Sequence, residues 1–137
     1  MKKLFFLSFV IAIGFTSCTG YDEGPAISFT STSKLLYGRW TVVQFLVDGV
    51  DSLQRYNDSC GCKISFENPS GDSPQYRTCI DITGKMSFDK KGITFNHYFL
   101  FIPFSSGKFW EFKRLSQDDC WMTSTINGKN YYVKLKY

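Results

Sequence analysis

The amino-acid sequence predicts an all-β fold: a single closed antiparallel barrel of eight up-and-down strands, with a two-sheet sandwich as the other architecture its pattern allows. Three observations carry this. Short runs rich in β-branched and aromatic residues recur at near-even spacing, separated by turn chemistry. In the final run Tyr131, Val133, Leu135 and Tyr137 alternate with Lys134 and Lys136, giving the one buried and one wet face of an antiparallel sheet. Asn127-Gly128, just before that run, is the strongest short hairpin signal available. Closure also removes the exposed edges that a sheet must otherwise protect.

Residues 1–17 read as an export signal. Met1, Lys2 and Lys3 form a basic start, Leu4 to Ile13 an apolar run, and small residues precede Cys18. The run is too short to span a bilayer, which takes about 20 apolar residues. Phe15-Thr16-Ser17-Cys18 resembles the lipobox of bacterial lipoproteins, with Phe15 where an aliphatic residue is usual. That resemblance implies that Cys18 becomes the acylated first residue of the mature chain. Several acyl chains hold a soluble domain at a bilayer almost permanently, so the implied partner is a membrane that is not crossed. Residues 18–33 then read as a polar tether. Thr19 and Asp22-Glu23 resemble, respectively, the outer-membrane default and the acidic surface-export signal of Bacteroidetes lipoproteins. The expected location is the outer membrane, lipid-anchored, at the cell surface or the periplasmic face.

The barrel domain is expected over residues 34–137. Arg39–Val47 is the first strand, ended by Asp48-Gly49, and a short helix is expected around Ser52–Asn57. Lys63–Phe66 alternates, Glu67–Gln75 is a loop with two prolines, and Arg77–Ile82 is a strand closed by a Thr83-Gly84 turn. Lys85–Phe88 and Ile93–Ile102 flank a hairpin loop of common length. Lys108–Leu115, Cys120–Ile126 and Asn130–Tyr137 complete eight strands.

Removing residues 1–17 of the 137 leaves 120, enough for one domain with a core. Lys2 and Lys3 leave with the signal, which lowers the formal charge from +4 to +2. No basic cluster alternates with exposed aromatics, so no nucleic-acid partner is expected. Cys60, Cys62, Cys79 and Cys120 remain, and an even count in an oxidising compartment favours disulfides. Cys60-Gly61-Cys62 lacks the two-residue spacing of a zinc knuckle, and a bond within it would be strained. Two connectivities stay open: Cys60–Cys79 with Cys62–Cys120, or Cys60–Cys120 with Cys62–Cys79. The shared phase of Cys62 with Ile64 and of Cys120 with Met122 mildly favours the first.

Gly38-Arg39-Trp40 resembles the Gly-x-Trp of lipocalins. The wider pattern resembles the small lipocalin-like lipoproteins of Bacteroidetes: Gly24-Pro25-Ala26-Ile27-Ser28, Leu36-Tyr37-Gly38-Arg39-Trp40-Thr41-Val42, Asp48-Gly49-Val50-Asp51, Phe112-Lys113-Arg114-Leu115, Trp121 and Asn127-Gly128-Lys129-Asn130-Tyr131-Tyr132. The match covers both ends of the mature chain and not its cysteine-bearing middle. In lipocalins the Trp closes the barrel base and a late Arg packs over it; the last strand here offers only Lys134 and Lys136. The resemblance implies a fold and leaves activity open, since such barrels carry many functions.

No catalytic constellation stands out. His97 is the single histidine, in phase with Phe95, Phe99 and Phe101, and reads as packed or barrel-lining. No His-x-x-x-His, Gly-x-Ser-x-Gly or phosphate-cradling loop occurs, and Asp118-Asp119 reads as a solvated turn. No enzyme, metal or cofactor is expected. Trp40, Phe99, Phe101, Trp110 and Phe112 are the candidates to line an apolar ligand cavity. The competing expectation is a core filled by those same rings, as in small eight-stranded barrels. Trp121 is out of phase with Met122 and Ile126 and is expected to face outward. Asp51-Ser52-Leu53 resembles the Bacteroidetes O-glycosylation acceptor, while Asn57-Asp58-Ser59 fits a eukaryotic sequon that a bacterial chain has little reason to use. The expected function is binding: of a small hydrophobic ligand inside the barrel, or, with the core filled, of an envelope protein through its loops, as an inhibitor or accessory subunit of an envelope complex.

Overall fold

The computed structural model describes residues 30–55, 63–68, 74–78, 83–99, 102 and 105–137. The expected export signal, Cys18 and most of the expected tether lie outside the described residues, as do Cys60, Cys62, Cys79, Phe101 and Asn57. Among the described residues a short helix, α1 (Thr32–Leu36), precedes nine strands: β1 (Gly38–Val47), β2 (Val50–Asp51), β3 (Lys63–Glu67), β4 (Gln75–Thr78), β5 (Thr83–Phe88), β6 (Gly92–Phe95), β7 (Phe109–Leu115), β8 (Asp119–Ile126) and β9 (Lys129–Lys136); residues 53–55, within the helix expected around Ser52–Asn57, are also helical.

Every pairing is antiparallel and joins neighbours in sequence, apart from the two that β1 makes with β3 and β9. β1 closes the barrel. Its first four residues pair with β3, and Thr41 to Val47 pair with β9. The two-residue β2 only extends the end of β1, so eight strands form the closed up-and-down, lipocalin-like wall. Irregularities at Val42/Gln44 and Phe112/Arg114 bend β1 and β7, the usual way a sheet is made to curl on itself. At the Asp48-Gly49 and Asn127-Gly128 corners both residues have positive φ, the type I′ signature whose twist suits a tight hairpin.

Alternation drives the core. Trp40, Val42 and Phe45 of β1 face inward, as do Cys120, Met122, Ser124 and Ile126 of β8, and Tyr131, Val133 and Leu135 of β9. Each large apolar side chain so placed stabilises by about 1.5–3 kcal/mol relative to exposure. α1 lies beneath this interior and buries Leu35 and Leu36.

Two strand expectations fail for physical reasons. Thr83 and Gly84 begin β5 rather than forming a turn, and β4 starts at Gln75. Gly84 sits opposite Tyr76, whose ring lies over it; a β-carbon there would come within 2.6 Å of Tyr76 Cε1. The glycine makes room for an aromatic ring, not for a corner. The expected strand Ile93–Ile102 stops at Phe95. Beyond it Ile102 N–H donates to Phe99 C=O at 3.0 Å and Ser105 N–H to Ile102 C=O at 3.3 Å, each bond linking residues three apart. Phe95, Phe99 and Ile102 are all buried.

Candidate functional site

The barrel base is built around Trp40. Its indole N–H donates to Leu36 C=O at 2.8 Å, which ties β1 to the end of α1. The ring of Tyr137 meets Trp40 edge-on at 5.4 Å, interplanar angle 90°. Tyr137 thus takes the place expected of a late cation, while Lys134 and Lys136 point outward. Gly38 adjoins this contact with φ +142°, a backbone conformation that side chains rarely adopt.

Above the base, the candidate ligand-lining residues are spent on one another. Phe95 and Phe99 stack at 4.0 Å with 9° between their planes, and Phe99 meets Trp110 edge-on at 5.1 Å. Trp110 leads on to Tyr131 at 6.3 Å, and Tyr131 stacks on Phe45 at 6.3 Å. On the other side Phe66 and Tyr76 both pack on Phe95. The result is a continuous column of rings across the interior. Trp40, Phe99 and Trp110 are at most 1% exposed and Phe112 is 3% exposed. Such ring pairs add about 0.5–1.5 kcal/mol each beyond the area they bury. Of the five cavity candidates only Phe101 lies outside the described residues. One polar atom in this column has no hydrogen-bond partner: the buried Trp110 indole N–H.

Cys120 is a free thiol, fully buried between its cross-strand neighbours Leu115 and Leu135. That departs from both expected disulfide connectivities, each of which used it. The alternation of β8 turns Cys120 into the core, and burial pushes its pKa well above the usual thiol range. His97 is exposed, not packed: it follows the end of β6 and borders an open hollow of about 260 Å³ with Asn96 and Lys85. Among the described residues no group of three or more His, Cys, Asp or Glu is placed to hold a metal ion, and no helix is long and apolar enough to cross a membrane.

The outer wall carries the other concentration of chemistry. Cross-strand register lines up Arg114 of β7, Trp121 of β8, Lys134 of β9 and Gln44 of β1 in one outward row. Arg114 Cζ lies 5.0 Å from the centroid of the Trp121 ring and Lys134 Nζ 4.2 Å, so two cations share one indole. Lys134 also lies 5.7 Å from the Tyr132 ring in the next outward position. Asp119 ties Arg114 at 3.6 Å and Lys136 at 3.5 Å, bracing the row from one end. Trp121 was expected to face outward, and it does. Its bracketing by two cations was not foreseen; the signal was the pairing of Arg114, Trp121 and Lys134 once register is known.

No family model, curated protein or solved structure matches this chain. The functional reading rests on the geometry alone.

Proposed function

We propose that the chain is a lipocalin-like lipoprotein, anchored to the outer membrane through Cys18, that acts by binding an envelope protein on the outside of a filled barrel. One observation carries the choice: Trp121, held on the outer wall between Arg114 at 5.0 Å and Lys134 at 4.2 Å. Partly exposed Trp, Tyr and Arg are the residue types that dominate protein interfaces, because they offer large rigid contact area with a polar edge. The interior supports the same choice, since Phe95, Phe99 and Trp110 pack on one another and leave little for a ligand to gain. Nothing in this arrangement calls for catalysis or a cofactor.

A second reading, a small apolar ligand held inside the barrel, is favoured by the buried Trp110 N–H that lacks a partner. Leaving such a donor unsatisfied costs about 1–3 kcal/mol, which a ligand acceptor would recover. Photo-cross-linking in intact cells separates the two. A cross-linkable residue at position 121 is expected to trap a discrete protein adduct, and one at the exposed position 87 of β5 is not. Equal labelling at both positions, or at neither, would remove the outer-wall reading.

A further inference from the structure

On the outer face of β1, β3 and β4, register sets Arg39 opposite Ser65 and Ser65 opposite Arg77. Directly opposed residues on antiparallel strands lie about 4.5–5.5 Å apart. Two arginines therefore flank one serine from either side. All three border a single open hollow of about 230 Å³, together with Lys63, Glu67 and Thr78.

We propose that this hollow binds a phosphate-type oxyanion, either free or as the phosphodiester of a lipid headgroup. Three cations face one carboxylate there, and among the described residues no ion pair engages Arg39, Lys63 or Arg77. Cations crowded into a concave surface raise the local potential, and an anion relieves their mutual repulsion. The guanidinium group suits a tetrahedral oxyanion in particular, because its planar fork presents two parallel N–H donors. Ser65 adds a hydroxyl between the forks, and Lys63 adds a point charge two residues along the same strand. Thr78 borders the hollow but alternates to the buried face with Tyr76 and Ile64, so the donors offered to an anion are those of Arg39, Lys63, Ser65 and Arg77. This hollow shares no residue with the Trp121 row, so either assignment can fail without the other.

The test is an NMR titration of the full chain in non-ionic maltoside micelles, at constant ionic strength. Inorganic phosphate, the diester glycerophosphoglycerol and chloride are added in separate experiments. The expected result is saturable shifts at Ser65 and Arg77 with phosphate, with the diester, or with both, and none with chloride. Response to the diester alone identifies a headgroup site, and response to phosphate alone a site for the free anion. Arg39→Gln combined with Arg77→Gln should weaken binding by about tenfold or more, given the strength of charged hydrogen bonds. Both residues are exposed, so this variant is expected to fold. Arg77→Lys, which keeps the charge and loses the fork, should fall between. Shifts that never saturate, or that match those of chloride, would overturn the proposal. So would saturable binding that survives the double substitution.

Discussion

The ring of Tyr137 fills the space that a side chain on Gly38 would need. A β-carbon at position 38 would collide with Cε2 of that ring and lie 2.9 Å from its hydroxyl oxygen. The same ring closes edge-on over Trp40, whose indole N–H is held by Leu36 C=O. Trp40 and Leu36 therefore form a buried plug at the start of the barrel wall, and the largely exposed ring of Tyr137, from its end, lies against it over Gly38. Two consequences follow for Gly38→Ala. It must strain a backbone at φ +142°, and it must displace Tyr137 from Trp40.

A double-mutant cycle resolves these two parts. Gly38→Ala should cost more in the wild-type background than in Tyr137→Ala, where only the backbone strain remains. The expected coupling is about 0.5–3 kcal/mol, the range for residues in contact. Urea melts of the four proteins measure it, and strictly additive costs would mean that Tyr137 does not pack over Gly38. Trp40→Ala in the same assay should cost about 3–5 kcal/mol, the penalty for emptying a large aromatic site.

Phe99→Ala should be similarly costly, at about 3–5 kcal/mol, because Phe99 is fully buried between Phe95 and Trp110. The truncated protein should also gain a dry cavity able to take up xenon or benzene, as apolar cavities of that size do. A loss of stability near zero would indicate that the ring lines open space instead of filling it.

Trp121→Ala should leave stability within about 1 kcal/mol, since each exposed cation–π contact contributes only about 0.5–1 kcal/mol. Its effect should appear in cross-linking from a neighbouring outward position such as Thr123. A collapse in stability would make the row structural; unchanged cross-linking would mean that Trp121 contacts no partner.

Stability should fall with rising pH in a way that Cys120 and Tyr76 explain. Burial raises the Cys120 thiol and pushes the Tyr76 phenol up to about 12. The unfolded chain ionises these groups near 8.5 and 10. Above those values the unfolded state binds fewer protons than the native state, so the stability present at neutral pH is lost as pH rises. The slope approaches ~1.4 kcal/mol per pH unit for each group. Cys120→Ala should remove the loss that begins near pH 9 and leave the part above pH 10, assigned to Tyr76. Parallel curves for the two proteins would contradict this. In the native protein Cys120 should also resist alkylation until the chain unfolds.

The sequence made the wall legible wherever alternation was strict and turn chemistry unambiguous, as in β1, β8 and β9. It misled where a residue served a neighbour rather than its own strand. Gly84 reads as a corner because nothing local announces that the Tyr76 ring will cover it. Phe99 reads as the continuation of a strand because its aromatic character is visible and its hydrogen bond to Ile102 is not. α1 is five residues long, too short to display a helical period, so Thr32 and Ser33 read as tether. The Tyr137 contact was hidden for a related reason: its phase marks a buried residue, yet it lies just past β9 and is 69% exposed, and only closure of β9 on β1 brings its ring against Trp40. The outer-wall row depends wholly on register, which a single strand does not specify.

Native mass spectrometry of the full chain, purified from the envelope and freed from detergent in the gas phase, tests the central claim most directly. A barrel filled by its own aromatic column should give the mass of the processed, acylated chain and release no further small molecule on activation. A stoichiometric apolar compound that leaves only when the chain unfolds would contradict the account, and would place that compound inside the barrel.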